Sequence, residues 1–254
     1  MIFSHSGRIG DVLYSLYFCK DLAHTFNLHL LTNQPDPPTY FKEKPIRISD
    51  KDLEFILPLF EYQSYINKVT ARDTAPDDAY TLDVFRVHSS ICGLKDIRDW
   101  YFCLTCRIQN PPTLFANKAE AILELPDVTE KIDKIAICFT DRYKTVCHPS
   151  VLEPIKDKLV FIGLESEWKN FCESYFPVEF EKFNTMLDMA VFMKSCHGFI
   201  GNVSGTYAIA ECAHIRRVQC QQADGGNVPI WDNTGIRTQN SDVLLQCAKN
   251  MLLM

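Results

Sequence analysis

The sequence predicts an α/β protein built from two successive Rossmann-like halves. Short apolar runs alternate with amphipathic stretches along the chain, and no internal repeat is present. This alternation is typical of βα units stacked on a parallel sheet. A polar segment, residues 128–134, separates the two series of apolar runs. We therefore expect an N-terminal domain over residues 1–127 and a C-terminal domain over residues 128–254.

The N-terminal half begins with a short strand and a strongly periodic helix. From Ile9 onward, apolar residues recur every three or four positions, which predicts a helix with one buried face. A proline-rich segment, residues 33–45, cannot sustain a helix and is predicted to be a loop. The other elements predicted in this half are strands at residues 1–4 and 28–32 and short helical stretches at residues 53–60 and 97–107.

In the C-terminal half the alternation is more regular. Strands are predicted at residues 135–139, 159–163, 198–201 and 217–220, and helices at residues 165–176, 187–195 and 206–213. A closing helix over residues 241–253 has Asn240 or Ser241 as its N-cap. For this last helix, packing back on the N-terminal domain is considered alongside packing on its own domain.

Charge and cysteine content argue against several classes of protein. With a net charge of −6 and no run of Lys or Arg, the chain is not expected to bind nucleic acid, which requires many phosphates to be neutralised. The sequence shows no signal-peptide pattern at its start and no apolar run of about 18 residues. Eleven cysteines without regular spacing fit reduced thiols better than disulfides. We therefore expect a cytoplasmic protein without a transmembrane segment.

The first motif is the turn Ser6-Gly7-Arg8-Ile9-Gly10-Asp11, directly after the first predicted strand. Glycines at this place let the backbone turn tightly and approach a ligand at the carboxyl end of a parallel sheet. Asp11 falls in the first turn of the helix, where the macrodipole favours a carboxylate. The alternative interpretation of Asp11 is a helix-terminal residue with favourable charge and no chemical role. The turn lacks the full Gly-x-Gly-x-x-Gly pattern of dinucleotide-binding proteins.

The second motif follows the strand predicted at residues 198–201. Gly201-Asn202 and then Ser204-Gly205-Thr206 lead into the next helix. Such a corner presents backbone N–H groups and hydroxyls to an anion, and Gly205 lets a diphosphate come close. The corner therefore has the outline of a phosphate site, with an ordinary Ser/Thr helix cap as the alternative.

Together the two motifs resemble the ADP-heptose:lipopolysaccharide heptosyltransferase family and its relatives among the GT-B glycosyltransferases. The resemblance rests on Gly10-Asp11-Val12-Leu13 and on residues 199–206, and residues 139–143 and 161–165 extend it. It implies a compact GT-B fold, in which two Rossmann-like domains face each other across a cleft. The first domain would bind mainly the acceptor and the second the nucleotide-sugar. It also implies that Asp11 is the base that deprotonates the acceptor hydroxyl.

Glycosyl transfer from a nucleotide diphosphate needs positive charge at the leaving group. Arg142 and Lys144 follow a predicted strand and are candidates to neutralise the diphosphate, and Arg8 is a further cation. Glu165 or Glu167, after the strand that ends at Gly163, can accept hydrogen bonds from a ribose. Solvated loop charges and first-turn helix residues are the alternatives. The complete set of donor and phosphate-binding candidates is Arg8, Gly10, Arg142, Lys144, Asn202, Ser204, Gly205 and Thr206.

No cofactor and no metal site is predicted. Asp50-Lys51-Asp52 formally matches the metal-holding Asp-x-Asp of other glycosyltransferases, but it precedes a helical stretch and is better interpreted as a cap. The favoured function is a metal-independent glycosyltransferase, which moves a sugar from a nucleotide-diphosphate donor to a hydroxyl of a carbohydrate or other acceptor. The alternatives are a non-hydrolysing sugar-nucleotide epimerase and a nucleotide-sugar-binding module without catalytic activity.

Overall fold

The computed structural model describes residues 1–35, 47–83, 95–102, 104, 120–140, 147–221, 228, 230 and 232–253. The contacts divide the chain into two compact units. Unit 1 comprises Met1–Asn117 and Thr185–Leu187, and unit 2 comprises Lys118–Asn184 and Asp188–Met254. This division falls after residue 117, whereas the sequence places the domain boundary after residue 127.

Unit 1 is built on a parallel sheet. The elements are β1 (Ile2–His5), α1 (Ile9–Ala23), β2 (Phe26–Leu31), a 3₁₀ turn (Asp50–Asp52), α2 (Leu53–Glu61), β3 (Ile66–Arg72), β4 (Tyr80–Thr81) and α3 (Ile97–Phe102). The four described strands are arranged in the order β3-β2-β1-β4, and every pair is parallel. β2 and β3 lie on one side of β1, whereas β4 pairs with β1 on its other side. The direction in which successive strands are added therefore reverses between β1 and β4. Such a switch point is where open α/β sheets bind ligands.

Aromatic residues fill the core of unit 1. The ring of Phe3 on β1 lies 6.1 Å from that of Phe18 on α1 and 5.3 Å from that of Phe26 on β2, both in edge-to-face geometry. Phe18 also meets Phe102 of α3 at 5.5 Å. These edge-to-face pairs add about 0.5–1.5 kcal/mol each to the effect of area burial. The periodic helix predicted from Ile9 is thus confirmed, and its apolar face is held between the sheet and α3.

The second half of the chain is built on a longer parallel sheet. Its elements are β5 (Ile135–Cys138), a 3₁₀ segment (Pro149–Lys158), β6 (Leu159–Phe161), α4 (Glu165–Ser174), β7 (Glu179–Phe180), α5 (Met186–Ser195), β8 (Phe199–Gly201), α6 (Gly205–Cys212), β9 (Arg217–Cys220), β10 (Gly235–Thr238) and α7 (Ser241–Leu252). The six described strands are arranged in the order β10-β9-β8-β5-β6-β7, and all pairs are parallel. Counted from β5, this is the Rossmann order 3-2-1-4-5-6, with its switch point between β5 and β8.

Most of the predicted elements are present, and the differences have local causes. The strands β4 and β7 escape prediction because two residues are too few to show an alternating pattern. β3 escapes it because its sequence, INKVTAR, is mostly polar and partly exposed. The loop predicted at residues 33–45 and the helical stretch at 97–107 lie partly outside the described residues.

Two of the predicted caps are confirmed. Asn240 begins α7, and its Oδ1 accepts hydrogen bonds from the backbone N–H of Asp242 at 2.8 Å and of Val243 at 3.3 Å. The carboxylate of Asp52 accepts hydrogen bonds from the backbone N–H of Ser49 at 2.9 Å and from its hydroxyl at 2.7 Å. The Asp-x-Asp sequence therefore belongs to a helix start, as expected from its position.

The closing helix α7 packs within unit 2. Its buried residues Leu244, Ala248 and Met251 belong to the hydrophobic core of this unit, and the helix contacts β5, β9 and β10. The sequence left the packing of this helix open between its own domain and the N-terminal domain, and its described buried residues belong to the core of unit 2. Among the described residues, no helix is long and apolar enough to span a membrane.

A buried group of charges joins α6, β9 and the segment before β10. Arg217 on β9 is completely buried, and its guanidinium donates to Glu211 at 2.5 Å and to Asp232 at 2.5 Å. It also donates to the Thr234 hydroxyl at 2.7 Å and to the Ile215 carbonyl at 3.1 Å. Burial alone would raise the pKa of Asp232, but the hydrogen bonds from Arg217 and Thr234 outweigh it and lower this pKa to about 2. The buried cation is thus compensated by two carboxylates and two neutral oxygens.

We expect Arg217→Met to lower the free energy of unfolding by about 3–5 kcal/mol, because Glu211 would stay buried without its cation. Urea denaturation followed by circular dichroism measures this. The matched control is Lys169→Met, which removes an exposed partner 2.7 Å from Glu165, four residues earlier on the same helix. That pair is exposed to solvent, so it contributes little to stability. Equal losses in the two variants would contradict the importance of the buried group.

Candidate functional site

Both predicted motifs lie at the carboxyl edge of a sheet, beside its switch point. The Gly-Asp turn (residues 6–11) follows β1, which borders the switch point of the first sheet. The Ser-Gly-Thr corner (residues 204–206) follows β8, which borders the switch point of the second sheet. Strand ends on either side of a switch point diverge and leave a crevice, where α/β proteins bind their ligands. Each motif is therefore in the position that a binding site requires.

The Ser-Gly-Thr corner is both a helix cap and a donor of free N–H groups. The Ser204 hydroxyl accepts a hydrogen bond from the backbone N–H of Tyr207 at 3.1 Å and lies 2.7 Å from the Thr206 hydroxyl. The first intrahelical bond runs from the N–H of Ala208 to the carbonyl of Ser204. The N–H groups of Gly205 and Thr206 have no acceptor within the described part of the chain, as expected for the first turn of a helix. The cap and the phosphate interpretation are thus compatible, because they use different donors.

Asn202 ties the corner to the end of β5. Its Oδ1 accepts a hydrogen bond from the Thr140 backbone N–H at 2.9 Å, and its Nδ2 donates to the Thr140 carbonyl at 2.8 Å. The side chain is completely buried. The sequence placed Asn202 among the donor contacts, but its amide pairs with backbone and so holds two strand ends in position. The buried Thr140 hydroxyl has no partner among the residues described.

A thiol, two hydroxyls and a carboxylate converge at the end of β5. Burial raises the pKa of the Cys138 thiol to about 12, and the charge of Glu167 adds to this. Hydrogen bonds with the hydroxyls of Thr206 and Ser204 act in the opposite direction. Gly163 has a φ of +119°, and a Cβ there would lie 3.1 Å from Cys138 Sγ. Cys138 is therefore an unreactive thiol that packs under the corner.

The two glutamates proposed for nucleoside binding differ in their exposure and in their contacts. Glu165 is exposed and lies 2.7 Å from Lys169, whose hydrogen bond lowers the pKa of the Glu165 carboxyl. Glu167 is half-buried, and its Oε2 would be 3.6 Å from a Cβ placed on Gly163, at the carboxyl end of β6. Glu167 thus belongs to the same edge as the Ser-Gly-Thr corner, whereas Glu165 pairs along the outer surface of α4.

The candidate cations are divided between described and undescribed residues. Arg142 and Lys144 lie outside the described residues. Arg8 is the residue before α1, and Gly10 is in the first turn of that helix, so both belong to unit 1. Of the donor-binding candidates, the structure therefore brings Asn202 and the Ser-Gly-Thr corner together, and it places Arg8 and Gly10 with Asp11.

Asp11 lies in the first turn of α1, where a hydrogen-bonded chain reaches it. His5 Nε2 lies 2.7 Å from the Tyr101 hydroxyl, and that hydroxyl donates to the Asp11 carbonyl at 2.8 Å. The Gly7 N–H donates to His5 Nδ1 at 2.7 Å. Neither His5 nor Tyr101 was singled out from the sequence. The histidine falls on the strand itself, and the tyrosine lies ninety-six residues further along, in an apolar helix, so that no spacing rule connects them.

Two further side chains fix the start of the Gly-Asp turn. The Ser6 N–H donates to Asp83 at 2.8 Å. Arg47 donates to the Ser6 carbonyl at 2.9 Å and to its hydroxyl at 2.7 Å. Asp83 follows β4, on the other side of the switch point from β1. Its role was not predicted because β4 itself was not.

A cavity of about 530 Å³ lies at the opposite edge of the second sheet. Lys134, Asp157 and Glu179 line it, near the amino ends of β6 and β7. The Lys134 amine donates to Glu179 at 2.9 Å and to the Asp157 carbonyl at 2.9 Å. Because Lys134 is paired with Glu179 and parallel sheets bind ligands at their carboxyl ends, we do not assign a substrate to this cavity. No group of three potential metal ligands is found among the described residues.

Comparison with known proteins identifies the fold. No protein-family model and no curated protein matches the sequence significantly. Among solved structures, a glycosyl transferase family 9 protein from Veillonella parvula matches with a TM-score of 0.61 and 11% identity, over 99% of this chain and 96% of that one. The E. coli ADP-heptose lps heptosyltransferase II matches with a TM-score of 0.57 and 11% identity, over 99% and 98%. The E. coli heptosyltransferase WaaC with ADP matches with a TM-score of 0.53 and 11% identity, over 98% and 99%. The chain therefore has a GT-B fold of the heptosyltransferase-like type, with two Rossmann-like domains.

Proposed function

We propose that the protein is a glycosyltransferase, which moves a sugar from a nucleotide-diphosphate donor to an acceptor hydroxyl. The observation that carries this proposal is the Ser-Gly-Thr corner at the switch point of a Rossmann sheet. The N–H groups of Gly205 and Thr206 have no acceptor among the residues that the structure describes, and two hydroxyls lie beside them. Unpaired N–H groups at a helix N-terminus attract phosphate oxygens through direct hydrogen bonds and through the helix dipole. The likeness of the fold to glycosyltransferase structures supports the same assignment.

In this proposal the donor binds to unit 2. The diphosphate accepts hydrogen bonds from the corner, and the ribose hydroxyls donate to Glu167. Arg142 and Lys144 supply positive charge for the leaving nucleoside diphosphate, which would let the reaction proceed without a divalent metal. Asn202 has an indirect role. Its amide is hydrogen-bonded to the backbone of Thr140, and it thereby holds the corner in position for the donor.

Asp11 is proposed as the base that takes the proton of the acceptor hydroxyl, with the acceptor bound mainly by unit 1. Asp11 lies in the first turn of α1, the helix that follows β1. General base catalysis of this kind contributes about 10²–10⁴-fold to a rate.

A ligand screen tests the proposed function. Thermal unfolding is followed with ADP-, GDP-, UDP- and CMP-sugars, each with divalent metal and with EDTA. We expect one nucleotide class to stabilise the protein in both conditions, because a ligand that binds the folded state raises its apparent stability. Acceptor-dependent release of the nucleoside diphosphate would then show transfer. Conversion of one sugar nucleotide into another without acceptor would show an epimerase instead, and binding without turnover would show a binding module.

We expect Gly205→Val to abolish donor binding, because the branched side chain would occupy the space at which the phosphates approach the corner. Isothermal titration with the stabilising nucleoside diphosphate measures this. The control is Asp242→Val, which introduces the same side chain at an exposed position in the first turn of α7. This helix follows β10, which is two strands away from β8 in the sheet. It should bind with unchanged affinity. Normal donor affinity in Gly205→Val would refute the phosphate site.

The two glutamates of α4 provide a second matched pair. We expect Glu167→Gln to weaken binding of the nucleoside diphosphate by about 10- to 100-fold, the effect of losing hydrogen bonds to a charged group. Glu165→Gln should change it less than twofold, because that carboxylate faces Lys169. With a 2′,3′-dideoxy nucleotide, wild type and Glu167→Gln should bind equally. A loss that persists with the dideoxy nucleotide would argue against a ribose contact.

Removal of the proposed base should affect turnover and not donor binding. We expect Asp11→Asn to lower kcat by about 10²–10⁴-fold, with the donor dissociation constant changed less than threefold. Asp21→Asn, at an exposed position on the same helix, serves as the control and should keep its activity. Unchanged kcat in Asp11→Asn would remove this residue from the mechanism.

A further inference from the structure

Gly7 is required for the packing of two side chains. A Cβ placed on Gly7 would overlap with the imidazole carbon Cε1 of His5 and would lie 2.8 Å from the Cβ of Asp11. The backbone of Gly7 thus fills the gap between these two residues. The sequence suggested that this glycine brings the backbone close to a ligand. The structure shows that it also lets His5 and Asp11 approach each other.

The hydrogen bonds around His5 define its protonation state. Since a backbone N–H can only donate, the bond from Gly7 makes Nδ1 an acceptor. The proton of the neutral ring is then on Nε2, which donates to the Tyr101 hydroxyl at 2.7 Å. The Tyr101 O–H in turn donates to the Asp11 carbonyl at 2.8 Å. His5 and Tyr101 are both completely buried, so water does not compete for these bonds.

The neighbouring carboxylate does not interrupt this chain. Asp83 Oδ1 is 3.7 Å from His5 Nδ1, longer than a hydrogen bond, and it accepts from the Ser6 N–H at 2.8 Å. The lone pair of Nδ1 is already used by Gly7. A neutral imidazole therefore satisfies every group in the chain.

We propose that His5 and Tyr101 are positioning residues, which hold the first turn of α1 so that the Asp11 carboxylate points at the acceptor hydroxyl. This inference rests on the proposed role of Asp11 as the base. The chain joins the last residue of β1, the helix α3 and the first turn of α1 by two buried hydrogen bonds. A base displaced by about 1 Å loses on the order of 10²-fold in rate.

The matched pair of variants is Tyr101→Phe and Tyr80→Phe. Tyr80 packs against Phe3 and Phe18 of the same core, and its hydroxyl donates to the Leu104 carbonyl at 3.2 Å. We expect Tyr101→Phe to lower kcat by about 10- to 100-fold, with the donor KM within twofold of wild type. Tyr80→Phe, which loses a comparable hydroxyl, should keep both constants.

Two substitutions of His5 separate positioning from packing. Gln places an N–H donor near the position of Nε2, whereas Asn places an acceptor near Nδ1 and has no donor that reaches Tyr101. Both remove the ring. We expect His5→Gln to retain most of the kcat that His5→Asn loses. Equal losses would mean that only the packing of the imidazole matters, and they would overturn the inference.

Amide hydrogen exchange supplies a readout that does not need activity. The Val12 N–H bonds to the Arg8 carbonyl at 3.1 Å in the turn that Tyr101 holds. Its exchange should be at least about tenfold faster in Tyr101→Phe than in Tyr80→Phe, since the turn opens more often. Unchanged exchange, or an unchanged kcat in an active protein, would overturn the inference. Faster exchange in a protein that transfers no sugar would mean that the proposed function, and not the positioning, has failed.

Discussion

The amide of Asn202 pairs with the backbone of Thr140, and the arrangement of the second sheet at its switch point depends on this pairing. β5 and β8 are neighbours whose ladder ends at the pair Cys138 and Gly201. Asn202 extends it by one residue with two hydrogen bonds from a single buried side chain. Gly201 makes this approach feasible, because a Cβ there would overlap with the Cys138 carbonyl. The carboxyl ends of both strands are thereby fixed where the Ser-Gly-Thr corner begins.

The helix that follows the corner is held at both ends. At its start, Ser204 caps the N–H of Tyr207. One turn further on, the Tyr207 hydroxyl donates to Glu211 at 3.0 Å, and Glu211 is paired with the buried Arg217. Burial, followed by the nearby charge of Glu211, raises the pKa of Tyr207, so this hydroxyl remains a donor. A helix anchored in this way loses little entropy when a ligand binds to its N-terminus, which is the advantage of a preorganised anion site.

The sequence predicted what local patterns determine. The helix from Ile9, the strands beside it and the cap at Asn240 follow from periodicity and capping chemistry, and all are present. Distinguishing Glu165 from Glu167 was beyond the sequence, since both fall in the same first turn and their surroundings depend on the neighbouring strand. The contact between His5 and Tyr101 could not be predicted from the sequence for a different reason. Their contact depends on how α3 packs on α1, and a pattern of apolar residues does not show which polar atoms meet across a core.

The glycines show the same distinction most clearly. In the sequence, Gly7, Gly163 and Gly201 all stand at or just after predicted strand ends, and for Gly7 this position suggests a backbone that approaches a ligand. In the structure, each makes room for an atom of the protein itself: the ring of His5, the thiol of Cys138 or the carbonyl of that same cysteine. These glycines therefore allow close packing within the protein, whereas Gly205 lies at a helix start where N–H groups lack acceptors among the described residues. A glycine at a strand end indicates close packing. A ligand site is indicated only where nearby backbone N–H groups also lack an acceptor.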